Sequence, residues 1–588
     1  MLRVEQLLSG KNGLLLACGA GLVLAMALGF ALPAYWVFVG TSVLIAWISL
    51  AGLGVVTGTA GMMALCQLSF AAIGAWVLEY LLLEQQLASS LGLLAFPLAL
   101  LASGIMASLV GVVVGLPALR LRGVNLAVVT LGIAAAVDLT FQRTAFPDAA
   151  SVERIERPFG IAFSDAGDRE YFIFTAVVTL LVVLAVGLLQ RGRWGSAWRA
   201  VAFSERGAAS VGQSVTRAKL TAFATSAFVG GIAGGLTVGQ IAQVNFTTFQ
   251  TIGSLGLYVL SIVVGAHFLE MALLGAVVFV LLPELLKRVG VPLEWSNVAF
   301  SLLGIQALTM NSSLGADLRN ALVKRRRARG LQQTDSRLAG LEPLRSQLPR
   351  GSGKVLLDVR NLTVQFGALK ALNDVSFSVR EGSIMGLIGP NGAGKSTTID
   401  ALTGFVSNHD GVILLGDTPI QAVPPHQRAH LGLRRTFQQD RVPPTMTVGA
   451  YVRFVAGASA GQQEVRAALD FLGCPESGTP LQMVDVGTRR LIEVAASLAA
   501  RPKLLLLDEP AAGLSHEEHL RFAERLRQIP ERFGVTLLVI EHDLDLVRSV
   551  CTEVTVLNFG QVIARGPSEE VFSNPEVQAA YMGEVESK

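Results

Sequence analysis

Between Lys11 and Arg120 the chain carries only two charged side chains, Glu79 and Glu84. A soluble domain cannot solvate its surface with so few, so this stretch must face lipid. With no water there to satisfy the backbone, its long runs must be helices, each of about 20 apolar residues. Such runs fall near 14–31, 34–57, 61–83, 92–118, 124–142, 171–190 and 220–240. The stretch 253–311 has room for three short crossings, broken near His267–Glu270 and again near Lys287, for a total of about ten. The first run has a basic start and an apolar core but no convincing small-residue cleavage site, so it reads as a retained helix.

Lys and Arg orient the bundle. The 190–219 loop carries Arg191, Arg193, Arg199, Arg206, Arg217 and Lys219 against the single acid Glu205, whereas the 143–170 loop is richer in acids than in arginines. The former is expected inside and the latter outside. Arg120 and Arg122 share the inner parity, as do Lys324 to Arg327 and Arg329, which puts everything after residue 320 in the cytoplasm. Dense small residues such as Gly58, Gly61 and Gly230 to Gly235 are explained by close helix packing. Gln67, Asn125 and Asp138 are candidates for a solute pathway, because polar groups inside a membrane face a bundle interior or a path. For Asp138 and Glu79, both near expected outer ends, snorkelling to the interface competes with that reading.

The overall 52% hydrophobic and 15% charged composition excludes a wholly soluble enzyme, and a net charge of +3, scattered along the chain, gives no case for nucleic acid. Cys18, Cys66, Cys474 and Cys551 read as small buried hydrophobes. His267 is the one histidine of the apolar half, which leaves no basis for a histidine metal site there.

Residues 320–353 are first basic, then rich in Gln, Ser, Pro and Gly, and read as a linker between a membrane domain at 1–319 and a globular domain at 354–588. In the latter, the apolar strand Ile384-Met-Gly-Leu-Ile388 runs into Gly389-Pro390-Asn391-Gly392-Ala393-Gly394-Lys395-Ser396, followed by the helix-like Thr397-Thr-Ile-Asp-Ala-Leu. This is a phosphate-binding loop in the context it requires. Its glycines let backbone N–H groups close around phosphate oxygens at a helix N-terminus. Lys395 can reach the terminal phosphates of ATP, and Ser396 can bind Mg²⁺. A second apolar strand ends in Asp508-Glu509, with Asp508 placed for the Mg²⁺ shell and Glu509 to activate water. A third ends in Glu541-His542, and ligands of such sheets lie at the carboxyl ends of the strands.

With these motifs, residues 354–588 resemble an ATP-binding cassette (ABC) ATPase. The resemblance implies that Phe366 stacks on adenine, that Gln438 senses Mg²⁺ and contacts the membrane domain, that Glu509 is the catalytic glutamate and that His542 is the switch histidine. Pro425-His426, Leu431 to Gln438, Asp508 to Gly513 and Asn574 to Gly583 resemble the ATPase subunits of branched-chain amino acid importers. Residues 14–311 resemble the permease subunits of those importers, through Leu119-Arg-Leu-Arg-Gly123, Thr130-Leu-Gly132, Gly58-Thr-Ala-Gly61 and Phe70 to Ala75. Gln67 stands where a histidine is usual, and Gly-Ala-His-Phe-Leu-Glu at 265–270 replaces a glycine-rich turn. Glu205, Ala208, Ala209 and Gly212 match the loop that docks on the ATPase. In the signature segment, Asp485 replaces a phosphate-donating serine while Gly487 is retained. An ionised carboxylate cannot donate to phosphate and repels it, so one of two composite ATP sites is expected to be weak.

The expected fold is therefore a polytopic α-helical membrane domain followed by an α/β phosphate-loop ABC ATPase domain. The resemblance implies ATP-driven import of hydrophobic amino acids or related small solutes, in a plasma (inner) membrane. It also implies a second permease subunit, a second ATPase subunit and an external solute-binding protein; whether these are copies of this chain or other chains stays open in the sequence, with Asp485 favouring a different ATPase, since a homodimer would carry the defect twice. Two rival readings are a membrane-anchored regulatory ATPase and an exporter half. Ten small-residue-rich crossings and a docking loop argue against the first, and short loops against the second.

Overall fold

A computed structural model of the chain describes residues 11–144 (without 86 and 122), 155, 157–241, 246–292, 295, 298–300, 302–305, a few positions between 313 and 338, and 353–582 (without 440, 458 and 459). The chain divides into two compact units. One comprises Met1–Ala202 with Thr216–Arg329, the other Phe203–Val215 with Gly330–Lys588.

In the first unit, eight helices among the described residues are long and apolar enough to cross a membrane: Ala34–Thr59, Gln67–Glu84, Gly92–Gly115, Val124–Arg143, Asp165–Arg191, Val215–Gln240, Thr247–Val264 and Leu269–Arg288. The helix Lys11–Ala31 precedes them. The expected break near His267 is present, where Gly265 adopts φ +74° and ends the helix Thr251–Val264. The next helix stops at Arg288, close to Lys287. Most of the third short crossing and nearly all of the 320–353 linker lie outside the described residues.

The expected crossing at 61–83 starts late. Residues 61–66 are irregular and the helix begins at Gln67. Irregular backbone and a free helix end at such a place need partners, and side chains supply them: in the irregular stretch Leu65 N–H donates to Thr130 Oγ1 at 3.1 Å, and in the first helical turn Leu68 N–H donates to Ser254 Oγ at 3.0 Å. Buried Gln67 accepts from Ser226 Oγ at 2.9 Å, whereas Asn125 is exposed at the start of Val124–Thr144. The helix Gln67–Glu79 crosses Val215–Gln240 backbone to backbone. A Cβ on Gly74 would lie 2.3 Å from Gly231 O, and one on Gly234 1.8 Å from Ala71 O. Burial excludes snorkelling for Glu79 alone. Glu79 is fully buried, and Asp138 accepts from the Thr251 N–H at 2.8 Å and hydroxyl at 2.6 Å.

The second unit is α/β. An antiparallel sheet is formed by β1 (Val355–Phe366), β2 (Leu369–Arg380), β4 (Asp410–Leu415) and β5 (Thr418–Pro419), in the order β2-β1-β4-β5. The second sheet contains β3 (Ile384–Ile388), β6 (Leu433–Arg435), β7 (Leu504–Asp508), β8 (Thr536–Ile540), β9 (Glu553–Asn558) and β10 (Gln561–Pro567). Its order is β10-β9-β3-β8-β7-β6, parallel except at the β9–β10 edge. β3, β7 and β8 are buried at every residue, as runs covered on both faces must be. Parallel pairing sets their carboxyl ends side by side, with Asp508 opposite Ile540.

Candidate functional site

The turn after β3 needs its glycines. Gly389 has φ +149°, and a Cβ there would meet Leu557 O at 2.1 Å; Gly394, at φ +102°, opens the helix Lys395–Thr403. The Lys395 ammonium folds over the loop mouth, donating to Gly389 O at 2.5 Å and Pro390 O at 2.9 Å. Ser396 is exposed on the first helical turn, beside half-buried Thr397. Glycines with bare backbone, a helix N-terminus and a lysine form a cradle for polyphosphate.

The next strand ends face this loop's edge of the sheet. Asp508 closes β7, and Glu509 follows at φ +49°, a left-handed conformation that is strained for a residue with a side chain. Its N–H is held by Ile540 O at 2.9 Å and its carbonyl by Arg490 at 2.8 Å. Gln438 Nε2 donates to Glu509 Oε2 at 2.9 Å, and exposed His542 places Nδ1 3.8 Å from Glu509 Oε1. Burial pushes the Asp508 carboxyl above the usual range, against the pull of Arg435; burial raises Glu541 likewise. Ser396 hydroxyl, Gln438 amide and Asp508 carboxylate offer only oxygen ligands, the set that Mg²⁺ accepts. The residues present thus fit that ion.

Phe366 closes β1 and is 52% exposed, open to stack against a ring. Asp485 serves as the N-cap of the helix Val486–Ala499, accepting from Thr488 N–H at 2.9 Å. Gly487 packs on Gly513, whose carbonyl would lie 2.6 Å from an added Cβ.

The short helix Glu205–Ser210 belongs to the same unit as these strands. Ala208 and Ala209 are buried, Arg441 donates to Ser204 Oγ at 3.2 Å, and Gly212, at φ +87°, abuts His430. Sequence reasoning passed over Arg435 and Asp400. Buried Arg435, at the end of β6, donates to both Asp400 and Asp508. β6 reads Leu433-Arg434-Arg435, with no apolar run to mark it as buried, so the need of Arg435 for carboxylate partners shows only once the strand is seen to be buried.

Comparison with known proteins comes from both halves of the chain. Residues 34–308 match the family described as branched-chain amino acid transport system / permease component, and 372–512 the family described as ABC transporter. Residues 561–587 match the family described as branched-chain amino acid ATP-binding cassette transporter. The high-affinity branched-chain amino acid transport ATP-binding protein LivG of Salmonella typhimurium is 36% identical over 251 residues, 39% of this chain and 98% of the relative. BraF of Pseudomonas aeruginosa, described by the same function, is 34% identical with the same coverage. A probable LivG of Archaeoglobus fulgidus is 33% identical, across 40% of this chain and 97% of its own length.

Proposed function

From the premise that this chain belongs to the ABC transporters of the branched-chain amino acid transport family, with permease component and ATP-hydrolysing cassette on one multi-pass polypeptide, we propose that it imports a small hydrophobic amino acid or a related solute. The family forms multi-subunit complexes. Here we propose a second permease, a second and different ATPase subunit and an external binding protein that delivers the solute.

In this reading the Gly389–Thr397 loop holds the phosphates of ATP by backbone N–H groups and Lys395, while Phe366 stacks on adenine. Mg²⁺, held by Ser396, Gln438 and Asp508, would draw charge from the transferring phosphate. Glu509 orients the attacking water and takes its proton, at a place kept by Ile540, Arg490 and Gln438. His542 lies within reach of the same carboxylate and steadies the leaving charge. The Glu205–Ser210 helix, embedded in the ATPase unit yet drawn from between permease helices, carries the motion to the bundle. That embedding is the observation that most supports transport over a purely regulatory role, and within the bundle Gln67 is the better pathway candidate because it is buried beside Ser226.

The test is solute-dependent stimulation. ATP turnover by the purified complex is measured with candidate binding proteins preloaded with leucine, isoleucine, valine or related small acids and amides. Stimulation by a loaded but not an empty binding protein is the expected result. Turnover indifferent to every loaded binding protein would contradict import.

A further inference from the structure

Four charged side chains of alternating sign run from the short helix to the strand end that bears Asp508. Arg206 NH1 lies 3.4 Å from Asp400 Oδ2; Arg435 donates through one nitrogen to Asp400 Oδ1 and through the other to Asp508 Oδ2 at 2.9 Å. The inner members are well shielded, with Arg435 6% and Asp508 10% exposed at the side chain, while Arg206 is 56% exposed. Arg206 also lies over the Phe405 ring, 5.4 Å from its centroid. Asp400 is thus shared between two arginines, one on the short helix and one behind the metal-binding carboxylate.

We propose that Arg206, Asp400 and Arg435 are positioning residues that set how strongly Asp508 holds its metal ion, according to whether the short helix is seated. The proposal rests on the coupling role given above to Glu205–Ser210. The sign follows from charge. With Arg206 on Asp400, part of that carboxylate's charge is spent on the short helix. Arg435 then leans harder on Asp508, and the carboxylate offers less to a cation. Withdrawal of Arg206 returns Asp400 to Arg435 and frees Asp508 for metal. Arg435 and Asp508 are shielded from water, so their pairing is screened little by salt, whereas the Arg206–Asp400 pair is open to solvent on the Arg206 side and weakens as salt rises. Partners behind a metal ligand commonly change metal affinity by about 10–100-fold.

The test uses the full chain assembled with its partner subunits and a non-hydrolysable ATP analogue. Mn²⁺ binding is followed by electron paramagnetic resonance, with metal-free binding of a fluorescent ATP analogue as the control for folding. Arg206→Ala should tighten Mn²⁺ binding about threefold and Asp400→Asn should weaken it about tenfold, the latter at the low end of the range for such partners. In the Asp400→Asn background, Arg206→Ala should have no further effect, and Arg206→Lys should behave as the wild type. An equal Arg206→Ala shift in both backgrounds, or none in either, overturns the proposal. Solute uptake by the same proteins separates this failure from that of the underlying reading. Reduced uptake in Arg206→Ala with unmoved Mn²⁺ affinity overturns the relay alone, whereas wild-type uptake in both Arg206→Ala and Gly212→Trp overturns the coupling role and the relay with it.

Discussion

Replacing Gly212 should uncouple ATP turnover from transport. The residue sits at φ +87°, two positions after the last residue of the short helix, and a Cβ there would lie 3.0 Å from His430 Cε1. Holding an L-residue in that conformation costs about 1–2 kcal/mol. Alanine therefore loses about that much, and the His430 ring has to give by a few tenths of an ångström. Tryptophan must also displace the ring, adding about 1–3 kcal/mol of overpacking. At about 1.4 kcal/mol per tenfold, the seated population relative to the unseated one falls by about tenfold for Gly212→Ala and by about 1.5 to 3.5 orders of magnitude for Gly212→Trp. The assay is uptake of labelled solute into proteoliposomes that hold the complex and its binding protein, with metal-free nucleotide binding to the same full chain as control. Uptake should fall in the order glycine, alanine, tryptophan while nucleotide binding is unchanged. Wild-type uptake by Gly212→Trp would refute the reasoning.

Asp485→Ser should keep the helix cap, since serine and aspartate are comparable N-caps, and should raise ATP turnover by removing a carboxylate from the phosphate's neighbourhood; unchanged turnover would show that Asp485 does not repel phosphate. Lys395→Ala and alanine at the matching lysine of the partner ATPase should reduce turnover unequally in the purified complex, and equal losses would contradict unequal sites. Arg428 is fully buried and donates to the carbonyls of Ala401, Leu402, Gln421 and Val423. Arg428→Met leaves those buried carbonyls without their donor, at about 1–3 kcal/mol for each one not otherwise paired, and should lower the denaturant midpoint of the full chain. Glu541→Gln should stabilise the chain at neutral pH, because burial raises the folded Glu541 carboxyl above its ordinary value. Both states are protonated below the ordinary glutamate range, so the gain should be absent there. It should grow as pH rises from that range through the raised folded value and be complete above it; a gain independent of pH would count against this.

The phosphate loop was legible because its requirements are local. Gly389 and Gly394 are needed by the backbone wherever the rest of the chain lies. Glu509 and His542 were legible because wholly apolar strands betray a buried parallel sheet, and its carboxyl edge follows. The Arg435–Asp400 pair was not, since its members are 35 residues apart and meet only through helix and sheet packing. In the membrane half, alternating lysine and arginine content separates the loops, and apolar length marks the helices. The late start at Gln67 was hidden because Met62 to Cys66 are as apolar as a helix. The irregular stretch gives the Leu65 N–H to the Thr130 hydroxyl, and the first turn of the helix gives the Leu68 N–H to that of Ser254, acceptors 65 and 186 residues away. Glu79 shows the same limit: a lone acid near a helix end fits snorkelling or burial equally until its neighbours are known.

The central claim is that ATP hydrolysis at this chain's own site drives solute inward. The most direct measurement is accumulation of labelled branched-chain amino acid in proteoliposomes containing the complex, with its binding protein on the donor side and ATP on the ATPase side, comparing the wild type with Glu509→Gln. Accumulation above the donor concentration is expected for the wild type. For Glu509→Gln the expected result is nucleotide binding without accumulation, with turnover reduced by about 10²–10⁴-fold at the site this chain supplies. Accumulation at the wild-type rate by Glu509→Gln, or without ATP, would contradict it.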